Sequence, residues 1–373
     1  MISWSNFRPV GNEEEYLIDA LSSGWVSGGS YVSKLHEALE SVFTESKAYA
    51  VSNGTSALQL AFQTLGAKID DEVIVPSFCF QAATNVALQL GLRPIFCDVD
   101  RNTWNQSVET IERAVTTNTK GIVVVHNYGV AAPVKAICDW AHARDLWVIE
   151  DCAEAWFSKH EGLYVGQYGD IATFSMHATK TIACGEGGVV LVNKESLVER
   201  ASLLRSHGIA RTDKHHYHVV PGNNYRLSNL LCAVAFAQFE KRAEILKKQI
   251  DNSALFAEIL GDHWAIDCQK GLGEIGEDSI WATAVRIKFD KLSVSRDVLI
   301  EMLAACDIEV RPGFYSVSTL PYVAAETISD ANIADSLAEN IVVLPTNPSV
   351  SENQVREICH ELIRLIEANR KNG

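Results

Sequence analysis

The chain has 373 residues, with 47 acidic and 32 basic side chains and a formal net charge of −15. This acidic balance argues against a nucleic-acid-binding protein, because neutralising phosphates requires clustered lysines and arginines. The 47% hydrophobic and 21% charged content is typical of a globular enzyme and excludes a disordered chain, and the length predicts two domains or one large core with an appendage.

Seven short apolar segments predict the strands of one sheet. Most are continuously apolar rather than alternating, which a sheet covered on both faces requires. Stretches with helical spacing lie between them, and strands that alternate with helices indicate a mostly parallel α/β sheet. In chain order the predicted strands are Ala48–Val51, Glu72–Val75, Pro94–Asp98, Gly121–Val125, Leu146–Glu150, Ile171–Ser175 and Gly188–Val192.

The alternation of strands and helices stops near Asn193. A long helical stretch follows and predicts a connection between two domains. We therefore predict a large α/β domain over residues 1–240 and a smaller α+β domain over residues 241–373. The later predicted elements are the helical stretch 227–260, the strands Thr283–Phe289 and Ile341–Leu344, and a last helix through Val355–Ile366.

Export, membrane and metal signals are missing from the sequence. No apolar run approaches the roughly 20 residues that cross a bilayer, and Met1–Pro9 lacks the pattern of a secretory signal. The nine cysteines are dispersed without a Cys-x-x-Cys pair, which is typical of reduced thiols in a cytoplasmic protein. We expect a cytoplasmic protein with no metal and with neither a membrane nor a nucleic acid as partner.

The first candidate site lies where the first predicted strand passes through Asn53-Gly54 into a helix over residues 55–65. Free N–H groups and the positive end of the helix dipole bind anions at such a position, and Thr55 and Ser56 add hydroxyl groups. An ordinary helix cap is the alternative interpretation.

The second candidate is Asp151, directly after the fifth predicted strand. Open α/β sheets bind ligands at the carboxyl ends of their parallel strands, and a carboxylate there can hold a protonated ring nitrogen. A helix-capping aspartate is an equally good interpretation of this residue taken alone.

The third candidate is Lys180, which follows the sixth predicted strand and precedes the glycine-rich segment Gly185–Gly188. A lysine amine in a partly dry site can lose its proton and form a Schiff base with an aldehyde. The alternative is a solvated surface charge. His177 nearby is more typical of a structural residue, and the polar turn Gly222–Leu227 indicates only a loop before a helix.

The three candidates are more informative together than apart. An anion site, then a carboxylate at a strand end, then a lysine after a later strand match the phosphate, the ring nitrogen and the aldehyde of pyridoxal phosphate. The sequence therefore predicts pyridoxal 5'-phosphate as the cofactor.

Six segments, spread almost end to end, carry a family resemblance. They are Ser23–Ser27, Asp71–Phe78, Val125–Gly129, Gly169–Ser175, Asn224–Arg226 and Leu344–Pro348. With them the chain resembles the DegT/DnrJ/EryC1/StrS sugar aminotransferases. The resemblance implies the fold type I of pyridoxal-phosphate enzymes, which is aspartate aminotransferase-like, with a mostly parallel seven-stranded sheet in the large domain and a smaller C-terminal α+β domain.

Four residues receive roles at the cofactor ring from this resemblance. It implies that Lys180 forms the Schiff base and that Asp151 is the partner of the pyridine nitrogen. Glu154 matches the position near the 3-hydroxyl group of the cofactor, and Phe80 matches the aromatic residue that stacks on its ring.

The resemblance also implies how the cofactor phosphate is bound. Thr55, Ser56 and Ser175 match phosphate-binding positions, and Asn224 matches the residue that reaches the phosphate of the neighbouring subunit. A homodimer with shared active sites is therefore expected. Met176 replaces the usual aromatic residue after Ser175, on what we interpret as the substrate side.

The activity implied is transfer of an amino group from L-glutamate to a nucleotide-linked 4-keto-6-deoxy sugar. Segments Val148–Ala155 and Asp170–Gly188 resemble the branch that converts GDP-4-keto-6-deoxymannose to GDP-perosamine, which implies a role in O-antigen or lipopolysaccharide biosynthesis. Other members aminate UDP- or dTDP-linked sugars at C3 or C4. Related sugar 3-dehydratases carry histidine in place of the Schiff-base lysine, so Lys180 argues against them, and the intact anchors argue against a regulator or scaffold.

Overall fold

The computed structural model describes residues 1–210, 216–272 and 277–371, and a seven-stranded sheet forms its centre. The strands up to residue 192 are β1 (Lys47–Val51), β2 (Glu72–Pro76), β3 (Arg93–Cys97), β4 (Thr119–Val125), β5 (Trp147–Asp151), β6 (Lys159–His160), β7 (Leu163–Tyr164), β8 (Ile171–Ser175) and β9 (Gly188–Val192). The short strands β6 and β7 form a separate ribbon. The other seven lie in the order β1-β9-β8-β5-β4-β2-β3.

The seven predicted strands are confirmed, each within two residues of its predicted bounds. Strand β9 runs antiparallel to β1 and β8, and the remaining neighbours in the sheet are parallel. The reversal at β9 arises because the loop that joins it to β8 contains no crossover helix, and a connection without a crossover gives antiparallel neighbours. The predicted mostly parallel sheet is thereby confirmed.

Helices cover both faces of this sheet. Alternate residues of β9 separate the two cores: Val189 and Leu191 pack on one side, Val190 and Val192 on the other. This two-sided burial is why the strands are continuously apolar in sequence. The helices are α1 (Glu13–Ser22), α2 (Ser30–Val42), α3 (Gly54–Leu65), α4 (Ala82–Gln89), α5 (Val108–Ala114), α6 (Val134–His142), α7 (Glu195–Arg205), α8 (Asn229–Glu240), α9 (Arg242–Leu260), α10 (Arg296–Ala305), α11 (Asn332–Asn340) and α12 (Glu352–Ala368).

A smaller sheet lies in the C-terminal part of the chain. Its strands are β10 (Ile266–Cys268), β11 (Thr283–Ile287), β12 (Arg311–Pro312) and β13 (Ile341–Leu344), and they pair antiparallel in the order β10-β11-β13-β12. The predicted strand Thr283–Phe289 extends two residues too far, because a 3₁₀ turn begins at Phe289. The predicted last helix is confirmed as α12, which begins with a capping box between Ser351 and Gln354.

The predicted helical connection over residues 227–260 is wrong as a single helix. Lys241, with φ −93° and ψ 7°, leaves the helical conformation and separates α8 from α9. A domain boundary at residue 240 stays a prediction. The first residues of the chain reach the C-terminal core, where the Ile2 N–H donates to the carbonyl oxygen of Asp307 and the Ile2 side chain packs near Phe256.

Among the described residues, no helix has the length and apolar character needed to cross a membrane. All nine cysteines carry free thiols, and all but Cys268 and Cys306 are buried. Burial raises the pKa of the Cys97 thiol to about 12, so this side chain is unreactive near neutral pH.

Candidate active site

The N-terminus of α3 forms the first part of the site. The Asn53 side chain caps the helix, its Oδ1 accepting the Ser56 N–H at 2.8 Å. The first amides of a helix have no intrahelical acceptor, so Gly54 and Thr55 still present theirs. A side chain at position 54 would bring its Cβ within 3.1 Å of Ser175 Cβ, so glycine lets the cradle close against the end of β8. The predicted anion site and the ordinary cap therefore coexist here.

Asp151 ends β5 and is buried, with 6% of its surface exposed. Its Oδ1 accepts the Ala153 N–H at 3.1 Å. The helix-cap interpretation is wrong, because residues 152–158 form turns rather than a helix. Burial raises the pKa of Asp151, and the nearby Lys180 and His126 oppose that rise. A buried carboxylate with so little hydrogen bonding is stabilised by a cation.

Lys180 lies in the loop between β8 and β9, beside Glu154. Its Nζ is 3.5 Å from Glu154 Oε1, while Glu154 Oε2 accepts the Tyr128 N–H at 2.8 Å. Only 13% of the lysine side chain is exposed, so the solvated-surface interpretation is wrong. Burial lowers the pKa of the Lys180 amine, and the Glu154 and Asp151 carboxylates raise it. Desolvation therefore favours the neutral amine that a nucleophile requires.

Trp281 is a site residue that the sequence analysis missed. Lys180 Nζ lies 3.6 Å from the centroid of the Trp281 ring. The indole Nε1–H donates to the carbonyl oxygen of Thr179 at 2.6 Å, and the Trp281 backbone N–H donates to that of Tyr128 at 3.0 Å. The residue thus contacts the lysine, the loop that carries it and the residue that holds Glu154. It precedes β11, about a hundred positions away in sequence, where no local pattern marks it.

The sequence analysis also gave no role to the segment after β4, although Val125–Gly129 is one of the segments that carry the family resemblance. The Asn127 Nδ2 donates to the carbonyl oxygens of Phe78 and Trp104, both at 2.9 Å. Tyr128 has φ +58°, and its ring stacks on Phe314 at 4.8 Å between centroids. Because β4 neighbours β5 in the sheet, its carboxyl end could have been expected beside Asp151.

Phe80, Met176 and Asn224 occupy different environments. The Phe80 ring is 64% exposed and meets Phe314 edge-on, whereas Met176 is fully buried in the core, so its replacement of an aromatic residue changes packing rather than the substrate side. Asn224 is exposed, and its Oδ1 accepts from Arg226 Nε at 3.0 Å. Its backbone N–H donates to Asn223 Oδ1 at 2.8 Å, so both of these hydrogen bonds stay within its own segment.

Replacing Trp281 with leucine should lower the pKa of Lys180 by up to about 1.5 units. The ring attracts the ammonium form through a cation–π contact that contributes about 0.5–2 kcal/mol, and one pKa unit corresponds to about 1.4 kcal/mol. Trp281→Phe keeps an aromatic face and should shift the pKa less. The pH dependence of Lys180 carbamylation by cyanate in the cofactor-free protein, followed by peptide mass spectrometry, measures this pKa. A higher pKa in Trp281→Leu would mean that the indole acts mainly by excluding water.

These residues fit pyridoxal phosphate. The cradle at α3, the buried carboxylate of Asp151 and the desolvated amine of Lys180 follow β1, β5 and β8, which run parallel and so end at one edge of the sheet. They offer partners for a phosphate, a protonated ring nitrogen and an aldehyde. The fold and the site together define a pyridoxal-phosphate-dependent enzyme.

Comparison with known proteins identifies the family of the chain. Residues 10–363 match the DegT/DnrJ/EryC1/StrS aminotransferase family. The chain belongs to this family, and its cofactor is pyridoxal phosphate.

Relatives and solved structures agree over nearly the full length. The chain is 36% identical over 354 residues to GDP-perosamine synthase of Escherichia coli O157:H7, covering 95% of each chain. It is 35% identical over 355 residues to GDP-perosamine synthase of Vibrio cholerae, covering 94% of this chain and 95% of that protein. A structure of GDP-4-keto-6-deoxymannose-3-dehydratase with a trapped PLP-glutamate geminal diamine superposes with a TM-score of 0.90 at 25% identity, over 97% of this chain and 100% of that one.

Proposed function

We propose that this protein transfers the amino group of L-glutamate to C4 of GDP-4-keto-6-deoxymannose, giving GDP-perosamine. The observation that carries the proposal is the likeness to two GDP-perosamine synthases over 94–95% of the chain, together with a buried lysine at position 180. Conversion of a GDP sugar is expected within O-antigen or lipopolysaccharide biosynthesis. The nine free thiols support a cytoplasmic location for it.

The residues of the site have separable roles in this reaction. Bound pyridoxal phosphate supplies the aldehyde and the electron sink. Lys180 holds the cofactor through its amine and then moves a proton away from the α-carbon of the donor, for which a pKa lowered by burial suits it. Glu154, 3.5 Å from Lys180 Nζ, positions that amine, and Asp151 keeps the ring nitrogen protonated. In the second half-reaction the same residues act in the reverse direction, so that the keto-sugar receives the amino group.

Further residues hold the phosphate and the ring of the cofactor. The amides at the start of α3, with the hydroxyl groups of Thr55, Ser56 and Ser175, bind the phosphate. Phe80 packs on the cofactor ring. Its large exposed aromatic surface supports this assignment.

Of two alternative reactions, the site argues against only one. A sugar 3-dehydratase would have the same fold. Related dehydratases carry histidine at the position of the Schiff-base lysine, so Lys180 favours amino transfer. An aminotransferase acting on C3, or on a UDP- or dTDP-linked sugar, would share every anchor described above.

A substrate panel tests the proposal. The purified enzyme with L-glutamate is given GDP-, UDP- and dTDP-linked 4-keto-6-deoxy sugars, and the products are identified by mass spectrometry and by the position of the amine. We expect GDP-perosamine as the preferred product. Release of the 3-hydroxyl group without amination, or a preference for a UDP or dTDP sugar, would replace the proposal with one of the alternatives.

We further propose a homodimer in which Asn224 reaches the cofactor phosphate of the partner subunit. Its exposed position on a segment whose Tyr225 carbonyl accepts the Ser52 N–H supports a location at the rim of the site. Large apolar side chains are exposed along α1 and just after it, as on a surface that pairs with another protein. They are Leu17, Ile18, Leu21, Trp25 and Val26, of which Trp25 is 71% exposed.

Mixing two inactive variants should restore activity if the site is shared. Lys180→Ala removes the amine, and Asn224→Asp places a carboxylate beside the phosphate, where like charges repel. Aspartate can still accept from Arg226, so the local fold should survive. In a mixed dimer one of the two sites receives neither lesion, so co-expression should recover up to half of the wild-type activity per heterodimer. No recovery in heterodimers that demonstrably form, or full activity of Asn224→Asp alone, would contradict the shared site.

A further inference from the structure

A second tryptophan, Trp4, packs against the indole that covers Lys180. Its ring meets the Trp281 ring edge-to-face, with 5.6 Å between the centroids and 85° between the planes. Edge-to-face aromatic pairs are favourable beyond the area that they bury. Trp4 is only 8% exposed, and together with Lys180 and Trp281 it lines a cavity of about 360 Å³. The N-terminal segment of the chain therefore forms part of the wall beside the lysine.

Hydrogen bonds fix the main chain at Trp4. The Glu309 N–H donates to the carbonyl oxygen of Ile2 at 3.0 Å, and the Trp4 N–H donates to Glu309 Oε2, also at 3.0 Å. Asn347 Nδ2 donates to the carbonyl oxygens of Ser3 and Trp4, both at 3.1 Å. Glu309 and Asn347 belong to the C-terminal part of the chain, so that part, rather than the seven-stranded sheet, sets where Trp4 lies.

Arg311 packs on the ring of Trp4. Its guanidinium carbon lies 4.3 Å from the ring centroid, a distance at which a guanidinium group is attracted to an aromatic face. Glu309 Oε1 accepts from Arg311 Nη2 at 3.2 Å while Oε2 accepts from Trp4, so one carboxylate fixes both residues. The result is a continuous row of contacts that ends at the amine: Arg311, Trp4, Trp281 and Lys180.

We propose that Trp4 is a positioning residue for the reaction, acting on Lys180 through Trp281. The Trp281 side chain is fixed at its Cβ and at Nε1, which donates to the carbonyl oxygen of Thr179, and a ring fixed at two points can still tilt about the line between them. Packing against Trp4 removes that freedom and keeps the ring face toward Lys180 Nζ. The amine is then held between the indole and Glu154 for proton transfer. The inference rests on the proposed function in that Lys180 is the reacting amine.

The pKa of Lys180 in the cofactor-free protein, measured by carbamylation as for Trp281→Leu, tests this role. Trp4→Leu should lower that pKa by about 0.5 unit, because a ring that tilts keeps only part of its cation–π contact with the amine. Trp4→Phe keeps an aromatic edge, so it should shift the pKa less, and it serves as the test variant if Trp4→Leu does not fold. The Trp4 Nε1 has no acceptor among the described residues, so neither substitution removes a side-chain hydrogen bond.

A double-mutant cycle shows whether Trp4 acts through Trp281. In the Trp281→Leu background, Trp4→Leu should leave the pKa of Lys180 unchanged, because no indole remains to be positioned. Equal shifts in both backgrounds, or no shift in either, would overturn the proposal. The measurement involves no sugar, so a different sugar in the substrate panel would contradict only the proposed function.

The glutamate half-reaction of the holoenzyme gives a second readout. A displaced amine transfers its proton less efficiently, so Trp4→Leu should slow this half-reaction by about threefold to tenfold. The same substitution should cause no further slowing in the Trp281→Leu background. A wild-type rate in Trp4→Leu would overturn the role of Trp4 in the reaction.

Trp264 is the matched control, since it also packs against an arginine. The Arg370 guanidinium carbon lies 4.6 Å from its ring centroid, and its Nε1–H donates to Glu367 Oε1 at 2.6 Å. Trp264 lies against the C-terminal core and does not line the cavity beside Lys180. Trp264→Leu should lower the melting temperature but leave the pKa of Lys180 at the wild-type value. A shift as large as that of Trp4→Leu would mean that general loosening of the C-terminal part moves this pKa, and it would overturn the proposal.

Discussion

Replacing Lys180 with alanine should abolish amino transfer, lowering the rate of the glutamate half-reaction by about 10³-fold or more, since the lysine supplies both the bond to the cofactor and the proton transfer. The cradle at α3 and Asp151 are untouched, so the variant should still bind pyridoxal phosphate. Stopped-flow absorbance after mixing with glutamate measures the rate, and equilibrium dialysis measures retained cofactor.

Lys135→Ala is the matched control for this substitution. Lys135 is a surface lysine on α6 that pairs with Asp139 at 2.9 Å, and its loss should leave the half-reaction unchanged. Wild-type turnover by Lys180→Ala would show that another group carries the chemistry. Circular dichroism shows whether Lys180→Ala is folded. If it is not, the half-reaction is measured again with Lys180→Met.

The stability of the cofactor-free Lys180→Ala variant should depend on pH. Burial raises the pKa of Asp151 and of Glu154, and the lysine charge opposes both shifts, so its removal raises them further. An acid whose pKa is raised in the folded state binds protons more tightly there, and folding weakens as pH rises through that raised pKa. The melting temperature of the variant relative to the wild type should therefore decrease as pH rises above 4.5, the ordinary pKa of a glutamate, through the raised pKa values of the two carboxyl groups.

The sequence predicts the features of this site that depend on short segments and on the order of the strands. The strands were predictable because helices cover both faces of the sheet, which leaves β8 and β9 as unbroken apolar runs. Asp151 and Lys180 were predictable because parallel strands end at one edge, so chain order already places them together. These are properties of short segments and of topology.

Contacts between distant segments were not predictable in the same way. Trp281 reaches the lysine loop from another part of the chain, about a hundred positions away in sequence. The break at Lys241 has no glycine or proline to mark it. Asp151 alone could not distinguish a helix cap from a turn, because aspartate is favourable in both.

Asp151→Asn is expected to have the second largest effect, slowing the glutamate half-reaction by about 10²-fold or more while the protein keeps its cofactor. Asparagine has the same shape and can still accept the Ala153 N–H, but it carries no charge to hold a proton on the ring nitrogen. Asp139→Asn, at an exposed carboxylate, is the matched control and should react at the wild-type rate. Conversion of Asp151→Asn by glutamate at that rate would leave Asp151 with no role in catalysis.

The stability of Asp151→Asn should change sign with the cofactor, which a purely structural aspartate would not do. Without cofactor, burial raises the pKa of Asp151 above its ordinary value of 3.8, so the ionised carboxylate weakens folding as pH rises from 3.8 through the raised pKa. The neutral asparagine avoids that penalty, and the cofactor-free variant should melt a few degrees above the wild type at pH 8, with a gain that shrinks toward pH 4. With cofactor bound, the wild type gains an ion pair with the ring nitrogen that the variant lacks, so the order of melting temperatures should reverse. Differential scanning calorimetry of both forms measures the two differences, and a variant that melts lower by the same amount in both would identify Asp151 as a packing residue.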